Sequence, residues 1–124
     1  MIIVRSPLRI SIGGGGTDIP SYYKEKESFF ISAAINKYVY VTITKPFEKG
    51  IYLKYSKIEK TNKVETIKNK IIKEVLRQEL MENKIEITTL TDIPSKTGLG
   101  SSGSFSTAMI KAIYSFNQKM IGRR

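Results

Sequence analysis

Eight successive residues from Thr97 to Ser104 are drawn only from glycine, serine, threonine and one leucine. This run constrains the fold more than any other part of the chain, because of what flanks it between Asp92 and Ser106. Before it, Lys84-Ile-Glu-Ile-Thr-Thr-Leu90 alternates and is rich in β-branched residues, which predicts a strand. After it, Phe105, Ala108, Met109, Ala112, Ile113 and Phe116 recur at helical spacing. A strand, a glycine-serine loop and a helix in that order aim backbone N–H groups and the positive end of a helix dipole at one spot. Such a spot suits an anion, usually phosphate. Gly98, Gly100 and Gly103 allow close backbone approach. Ser101, Ser102 and Ser104 offer hydroxyls to phosphate oxygens or a metal.

Three familiar phosphate loops do not fit. Gly98-Leu-Gly-Ser-Ser-Gly103 satisfies G-x-G-x-x-G, but a dinucleotide fold wants an acidic residue about 20 positions on. No Asp or Glu follows Asp92. A Walker A loop needs Gly-Lys-Ser/Thr, which is absent, and the protein-kinase glycine loop lies between two strands. The alternative is a serine-rich helix cap whose glycines serve only a tight turn.

The chain's 124 residues suffice for one small domain with a modest core. It has no cysteine and no histidine, which excludes disulfides, thiolate metal sites and histidine base catalysis within it. Zero cysteine suits the cytoplasm. The start, Met1-Ile-Ile-Val-Arg-Ser-Pro, does not read as a signal peptide, and no apolar stretch is long enough to span a membrane. A net charge of +10 raises the question of nucleic acid. The lysines, however, are spread along the chain with acidic residues among them, so a nucleic-acid partner is not expected. A basic RNA-binding module is kept as the rival class.

Taken in order, Ile2 to Val4 and Leu8 to Ile12 read as one broken strand or two short ones, interrupted at Pro7. Gly13-Gly-Gly-Gly-Thr-Asp18 follows. Four glycines can form a flat loop that lies against a ligand, and Thr17 and Asp18 offer groups suited to sugar hydroxyls. The alternative is a flexible turn in which Asp18 caps a short helix at Pro20 to Tyr23. Two β-rich runs, Ser28 to Ile35 and Lys37 to Thr44, are predicted on either side of Asn36. Tyr38 and Tyr40 share one face of the second, expected to pack on a neighbouring layer, with Val39, Val41 and Ile43 on the other. Another strand is predicted from Ile51 to Tyr55. An amphipathic helix is predicted from Val64 to Leu80, ending at Asn83. The sum is an α+β fold, a mixed sheet with helices on one face, forming a single domain over residues 1–124.

At Pro94-Ser-Lys-Thr-Gly-Leu-Gly-Ser-Ser-Gly-Ser104 the chain resembles the ATP-binding motif of the GHMP kinases, a Pro, a short spacer, then Gly-Leu-Gly-Ser-Ser. The resemblance implies that Lys96, Gly98, Leu99, Gly100, Ser101, Ser102, Gly103 and Ser104 contact ATP, with Ser102 also on Mg²⁺. It implies the ribosomal-protein-like two-layer sandwich of that family's N-terminal domain. Pro7-Leu8-Arg9 and Thr17-Asp18 are similar to the sugar-kinase opening, Pro-Gly-Arg followed at the same distance by Thr-Asp. On that resemblance Arg9 neutralises the migrating phosphoryl group, Asp18 holds the sugar, and Gly14, Gly15, Gly16 and Thr17 shape the pocket wall. Leu8 departs from the pattern's Gly, and Gly15 and Gly16 stand where galactokinases have Glu-His, which argues against galactose. The glycine-rich opening looks like the branch acting on D-glycero-D-manno-heptose 7-phosphate. That branch phosphorylates the anomeric hydroxyl to the 1,7-bisphosphate, for nucleotide-activated heptose and surface polysaccharide. A fucokinase-like sugar 1-kinase is the nearest alternative.

Members of this family run well beyond this length, so the resemblance covers an N-terminal part. It implies a base Asp and a metal-binding Glu after the Gly-Leu-Gly-Ser-Ser helix, and no acidic residue occurs there. It also implies apolar surface that a C-terminal half would cover, and hence self-association without one. The polypeptide of 124 residues is therefore predicted to be inactive or nearly so by itself. An ATP-dependent sugar kinase rate above background from the purified chain would contradict this.

Overall fold

The computed structural model describes residues 1–79, 84–94 and 96–117. Its strands are β1 (Ile2–Gly13), β2 (Ile31–Thr44), β3 (Gly50–Lys54), β4 (Ile58–Thr61) and β5 (Lys84–Thr91). Its helices are α1 (Pro20–Tyr23), α2 (Lys70–Gln78) and α3 (Ser101–Phe116). The five strands form one sheet in the order β1-β2-β5-β3-β4. All neighbours are antiparallel except β3 and β5, so the sheet is mixed. The connection between that parallel pair carries α2 across the sheet.

Alternation decides which side of the sheet is dry. Val4, Val39, Val41, Ile43, Leu53, Ile85 and Ile87 project to one side and are buried. Ile72 and Leu76 of α2 and Ala108, Met109, Ala112 and Ile113 of α3 meet all of these but Val39 in a single apolar cluster. Two layers result, with the longer helices on one face, as the residue pattern predicts. The tyrosines differ from expectation. Tyr38 and Tyr40 lie on the side away from that cluster, where no helix layer covers them. They are half-buried by each other, with ring centroids 6.1 Å apart, and by the Arg5 guanidinium 4.6 Å from the Tyr38 ring.

The two predicted breaks are also resolved differently. β1 runs through Pro7 without interruption, because an edge strand tolerates a missing N–H. β2 likewise continues through Asn36. The cost of both appears in the register: Pro7 pairs with Tyr38, but Arg9 pairs with Ala34, so Leu8 alone faces residues 35–37. This irregularity bends the ribbon at that point. Leu8 turns inward there and is only 1% exposed.

Sequence patterning merged what the chain separates near α2. A 3-10 turn at Val64–Thr66 precedes it, and Ile67 is extended and buried. α2 starts only after Asn69, whose side-chain oxygen accepts from the N–H groups of Ile71 and Ile72, both at 3.1 Å. Its last residue is Gln78; the predicted limit at Leu80 to Asn83 lies outside the described residues. β4 escaped prediction because Ile58-Glu-Lys-Thr61 is a short, charged edge with no apolar alternation to betray it. At the far end of β1 and β2, Ile12, Phe29 and Ile31 are exposed.

Replacing Leu8 by Ala should cost about 2–5 kcal/mol, as for other fully buried aliphatic truncations. Urea unfolding of the two chains would measure it, and a change below about 1 kcal/mol would mean that the site collapses freely.

Candidate functional site

α3 begins without a side-chain cap. Its N-cap is Gly100, at φ +67°, and there is no acidic residue in its first turn. The first bond of the helix is the Ser104 N–H to the Gly100 carbonyl, at 3.0 Å. The amides of residues 101–103 therefore have no intrahelical acceptor, and the positive end of the helix dipole lies at the same place. This overturns the alternative of a serine-capped turn. The hydroxyls of Ser101 and Ser102 have no protein hydrogen-bond partner among the described residues.

The preceding loop turns through left-handed positions at Lys96, Gly98 and Gly100. Gly100 is required for a second reason: a Cβ there would lie 2.7 Å from Nε of Arg9. The Arg9 stem thus lies directly over the helix terminus. Two bonds hold this arrangement. The Arg9 N–H donates to the Leu99 carbonyl at 3.0 Å, and the Ser104 hydroxyl donates to the Pro7 carbonyl at 2.7 Å. The base of the loop is fixed by Asp92, whose N–H donates to the Tyr38 carbonyl at 3.0 Å and whose carboxylate accepts from the Tyr38 N–H at 2.8 Å.

Two cavities open on either side of this terminus, and Ser101 and Ser102 line both. The smaller, about 400 Å³, brings Arg9, Ser11, Gly15, Gly16, Asp18 and Phe30 against Gly98 and Gly100. The glycine tetrad and the glycine-serine loop, 82 residues apart from Gly16 to Gly98, thus share one cleft. The larger, about 680 Å³, has Lys96 and Thr91 near the loop and Tyr55, Asn69, Ile71, Val39 and Phe105 deeper in its walls. The surface that it exposes is mainly apolar, although serine, threonine, asparagine and lysine side chains stand among the lining residues, a mixture usual in small-molecule pockets.

Several predicted contacts take other roles. Ser104 is 8% exposed, and its hydroxyl faces β1 instead of either cavity. Thr17 donates its hydroxyl to the Gly14 carbonyl at 2.8 Å and lies 3.3 Å from the Phe29 carbonyl, so it closes its own turn. Gly14 is held where a Cβ would sit 2.0 Å from the Phe29 oxygen. Gly14, Thr17, Leu99, Gly103 and Ser104 line neither cavity and shape the walls from behind. Ser11 and Phe30 in the smaller cavity, and Tyr55, Asn69 and Phe105 in the larger, went unnoticed in the sequence. Phe105 belonged to the helix's apolar stripe, and the others lie outside any motif.

Behind the larger cavity, the Tyr55 hydroxyl donates to Oε1 of Glu59, and the Lys68 N–H donates to Oε2 at 2.9 Å. Burial pushes the Tyr55 hydroxyl up to about 12, helped by its bond to Glu59 and that carboxylate's charge. Burial alone would raise Glu59 as well. The Tyr55 hydroxyl, the N–H groups of Lys68 and Asn69 and the Lys68 charge outweigh it and hold the carboxyl below its ordinary range. Since the folded value is the lower one, this bracket contributes above the ordinary glutamate range and fades as pH falls through the folded value.

Fold and loop together define a class. Residues 64–124 match the family described as GHMP kinases N terminal domain. The chain is similar to the GHMP kinases over that stretch and has the fold of that family's N-terminal domain. Among individual proteins, it is 29% identical over 126 residues to the D-glycero-alpha-D-manno-heptose 7-phosphate kinase of Campylobacter jejuni, covering 90% of this chain and 36% of that one. It superimposes with a TM-score of 0.84 and 25% identity on a D-glycero-D-manno-heptose 1-phosphate kinase from Bacteriodes thetaiotaomicron, covering 98% of this chain and 44% of that structure. The mevalonate kinase of Methanococcus jannaschii shares the fold, with a TM-score of 0.76, 23% identity and coverage of 98% and 42%. The chain thus spans between about a third and less than half of the length of these relatives. No helix among the described residues is long and apolar enough to cross a membrane.

Gly14→Ala should displace the Phe29 carbonyl and lower the melting temperature by several degrees, whereas Gly98→Ala meets no atom within 4 Å and pays only for its positive φ. Equal melting temperatures for wild type and Gly14→Ala would refute the packing described for the tetrad.

Proposed function

We propose that this chain forms the ATP- and sugar-facing part of a kinase that phosphorylates the anomeric hydroxyl of D-glycero-D-manno-heptose 7-phosphate, giving the 1,7-bisphosphate. The observation that carries the reading is the uncapped start of α3 between two cavities that both reach Ser101 and Ser102. A donor nucleotide and an acceptor sugar must meet at the transferred phosphoryl group, and this terminus is where two such occupants would meet. The activities for which the Campylobacter and Bacteriodes relatives are named support the choice of a heptose phosphate.

In this reading the nucleoside occupies the larger, more apolar cavity, with Lys96 near the phosphates. The triphosphate lies against the open amides of residues 101–103 and the hydroxyls of Ser101 and Ser102. The sugar occupies the smaller cleft, where Asp18 accepts hydrogen bonds from its hydroxyls and Phe30 offers an aromatic wall. Its anomeric oxygen forms a bond to the γ-phosphorus while the bond from that phosphorus to the β-bridging oxygen breaks; ADP leaves and the hydroxyl proton passes to solvent. Arg9 neutralises charge on the equatorial oxygens as this happens, since positioning and electrostatics carry most of phosphoryl transfer.

Among the described residues no group of three acidic, histidine or cysteine side chains could hold a metal. The residues present nevertheless fit a Mg²⁺ that arrives with the nucleotide, because such an ion takes few protein ligands and keeps waters and phosphate oxygens. Ser102 would hold it, and when bound it would supply positive charge against the phosphates. A kinase of this kind, using ATP and a sugar phosphate, would work in the cytoplasm.

Isothermal titration with ATP and MgCl₂ tests the reading. Ser102→Ala should weaken magnesium-dependent ATP binding by roughly tenfold, in line with one charge-assisted contact. Binding of an RNA oligonucleotide should be weak and indifferent to the substitution. RNA binding that is tight and salt-sensitive, with no detectable ATP binding, would replace the kinase by the nucleic-acid reading. A thermal-shift panel of heptose, fucose and other sugar phosphates then tests the acceptor.

A further inference from the structure

Glu59 lines neither cavity, yet its two carboxylate oxygens join the two sides of one of them. Oε1 holds the hydroxyl of Tyr55, which stands just after β3, and Oε2 holds the Lys68 N–H at 2.9 Å, just before α2. Tyr55 and Asn69, the residue next to Lys68, both line the larger cavity. Asn69 is itself committed, since its side-chain oxygen caps α2. The stretch between them is otherwise closed by bonds of its own, Thr61 to Thr66 and the Thr66 hydroxyl to the Lys63 carbonyl at 2.8 Å. The backbone at the start of the stretch is fixed as well, because β4 pairs with β3 and the Tyr55 N–H donates to the Lys57 carbonyl at 2.9 Å. Among the described residues, what joins the Tyr55 hydroxyl to the Lys68 end of the stretch is the carboxylate of Glu59.

We propose that Glu59 is a positioning residue for nucleoside recognition: from outside the pocket it sets the spacing between the Tyr55 wall and the Asn69 start of α2. The inference rests on the assignment of the larger cavity to the nucleoside. Its reach is limited by geometry. The triphosphate site is built from α3 and the glycine-serine loop, with which Glu59 makes no hydrogen bond. Glu59 therefore acts on the nucleoside end of a ligand and not on its phosphates.

That division provides the test. The whole chain is titrated with Mg-ATP and, separately, with magnesium tripolyphosphate, which has the phosphates and no nucleoside. Glu59→Ala should weaken ATP by on the order of tenfold, as expected for a lost charge-assisted bond with a second partner left unpaired. Tripolyphosphate affinity should stay within about twofold, a change too small to count as a lost hydrogen bond. Tyr55→Phe keeps the ring and removes one arm of the bracket, so it should show a smaller loss with the same selectivity. Glu59→Gln can still bond both partners and should restore most of the affinity. An equal loss for both ligands, or no loss for ATP, overturns the role of Glu59. Wild-type chain that binds ATP no better than tripolyphosphate overturns the nucleoside assignment itself, and the inference with it.

Discussion

Two hydrogen bonds between β1 and the segment around the start of α3 organise everything that this chain places near a ligand. The Pro7 carbonyl and the Arg9 N–H sit on either side of Leu8, where pairing with β2 slips its register. A regular ladder would leave these outward groups of an edge strand to solvent. Here the carbonyl takes the Ser104 hydroxyl and the N–H takes the Leu99 carbonyl. The strand that carries Arg9 is thereby fixed to the helix whose terminus Arg9 covers. Buried Leu8 anchors the same point from beneath, so a side chain that departs from the family pattern has a packing reason to be there.

That attachment explains how a helix terminus can remain open. A surface helix normally satisfies its first amides with a Ser, Thr, Asp or Asn cap. α3 has serines at hand, yet Gly100 stands at the cap, and Ser104 is bonded to β1 instead. The stability that a cap would give is replaced by the tie to Pro7 and by burial of Ala108, Met109, Ala112 and Ile113 against the sheet. The terminus keeps its unsatisfied donors and its partial positive charge, with Arg9 and Lys96 adding to the field. An anion is what such a place attracts.

What the sequence made legible followed from local chemistry. Alternation identified β5 and the core face of β2, helical spacing identified the buried stripe of α3, and the small residues between them marked the loop. The resemblance carried by Gly-Leu-Gly-Ser-Ser extended this to the fold. Less could be read where tertiary contacts choose among local options. Thr17 and Ser104 were grouped with ligand contacts because hydroxyls suit ligands, but each has a nearer backbone carbonyl. Asn69 looks unremarkable until the helix that it starts is seen to stop short of Val64. Tyr55 and Phe105 acquire significance only when β3, α2 and α3 converge on one cavity, and no spacing within any single element encodes that.

The same reasoning separates the glycines that a ligand would require from those that the fold requires. Gly14 is needed by its neighbours, for the Phe29 carbonyl occupies the space of its missing side chain. At Gly100 a side chain would instead have to push aside the Arg9 stem, at a position already left-handed. Gly16 and Gly98, both at positive φ and both on the smaller cavity, have nothing within 4 Å of where a side chain would stand. Backbone conformation accounts for a glycine at each of them, but the open space in front does not follow from packing. Two bare backbone segments facing each other across a cleft with one guanidinium and one carboxylate leave room for a polar, non-planar molecule. In the proposed reading that molecule is a sugar beside a phosphate, whose hydroxyls would donate to the carboxylate while the guanidinium faces the phosphate.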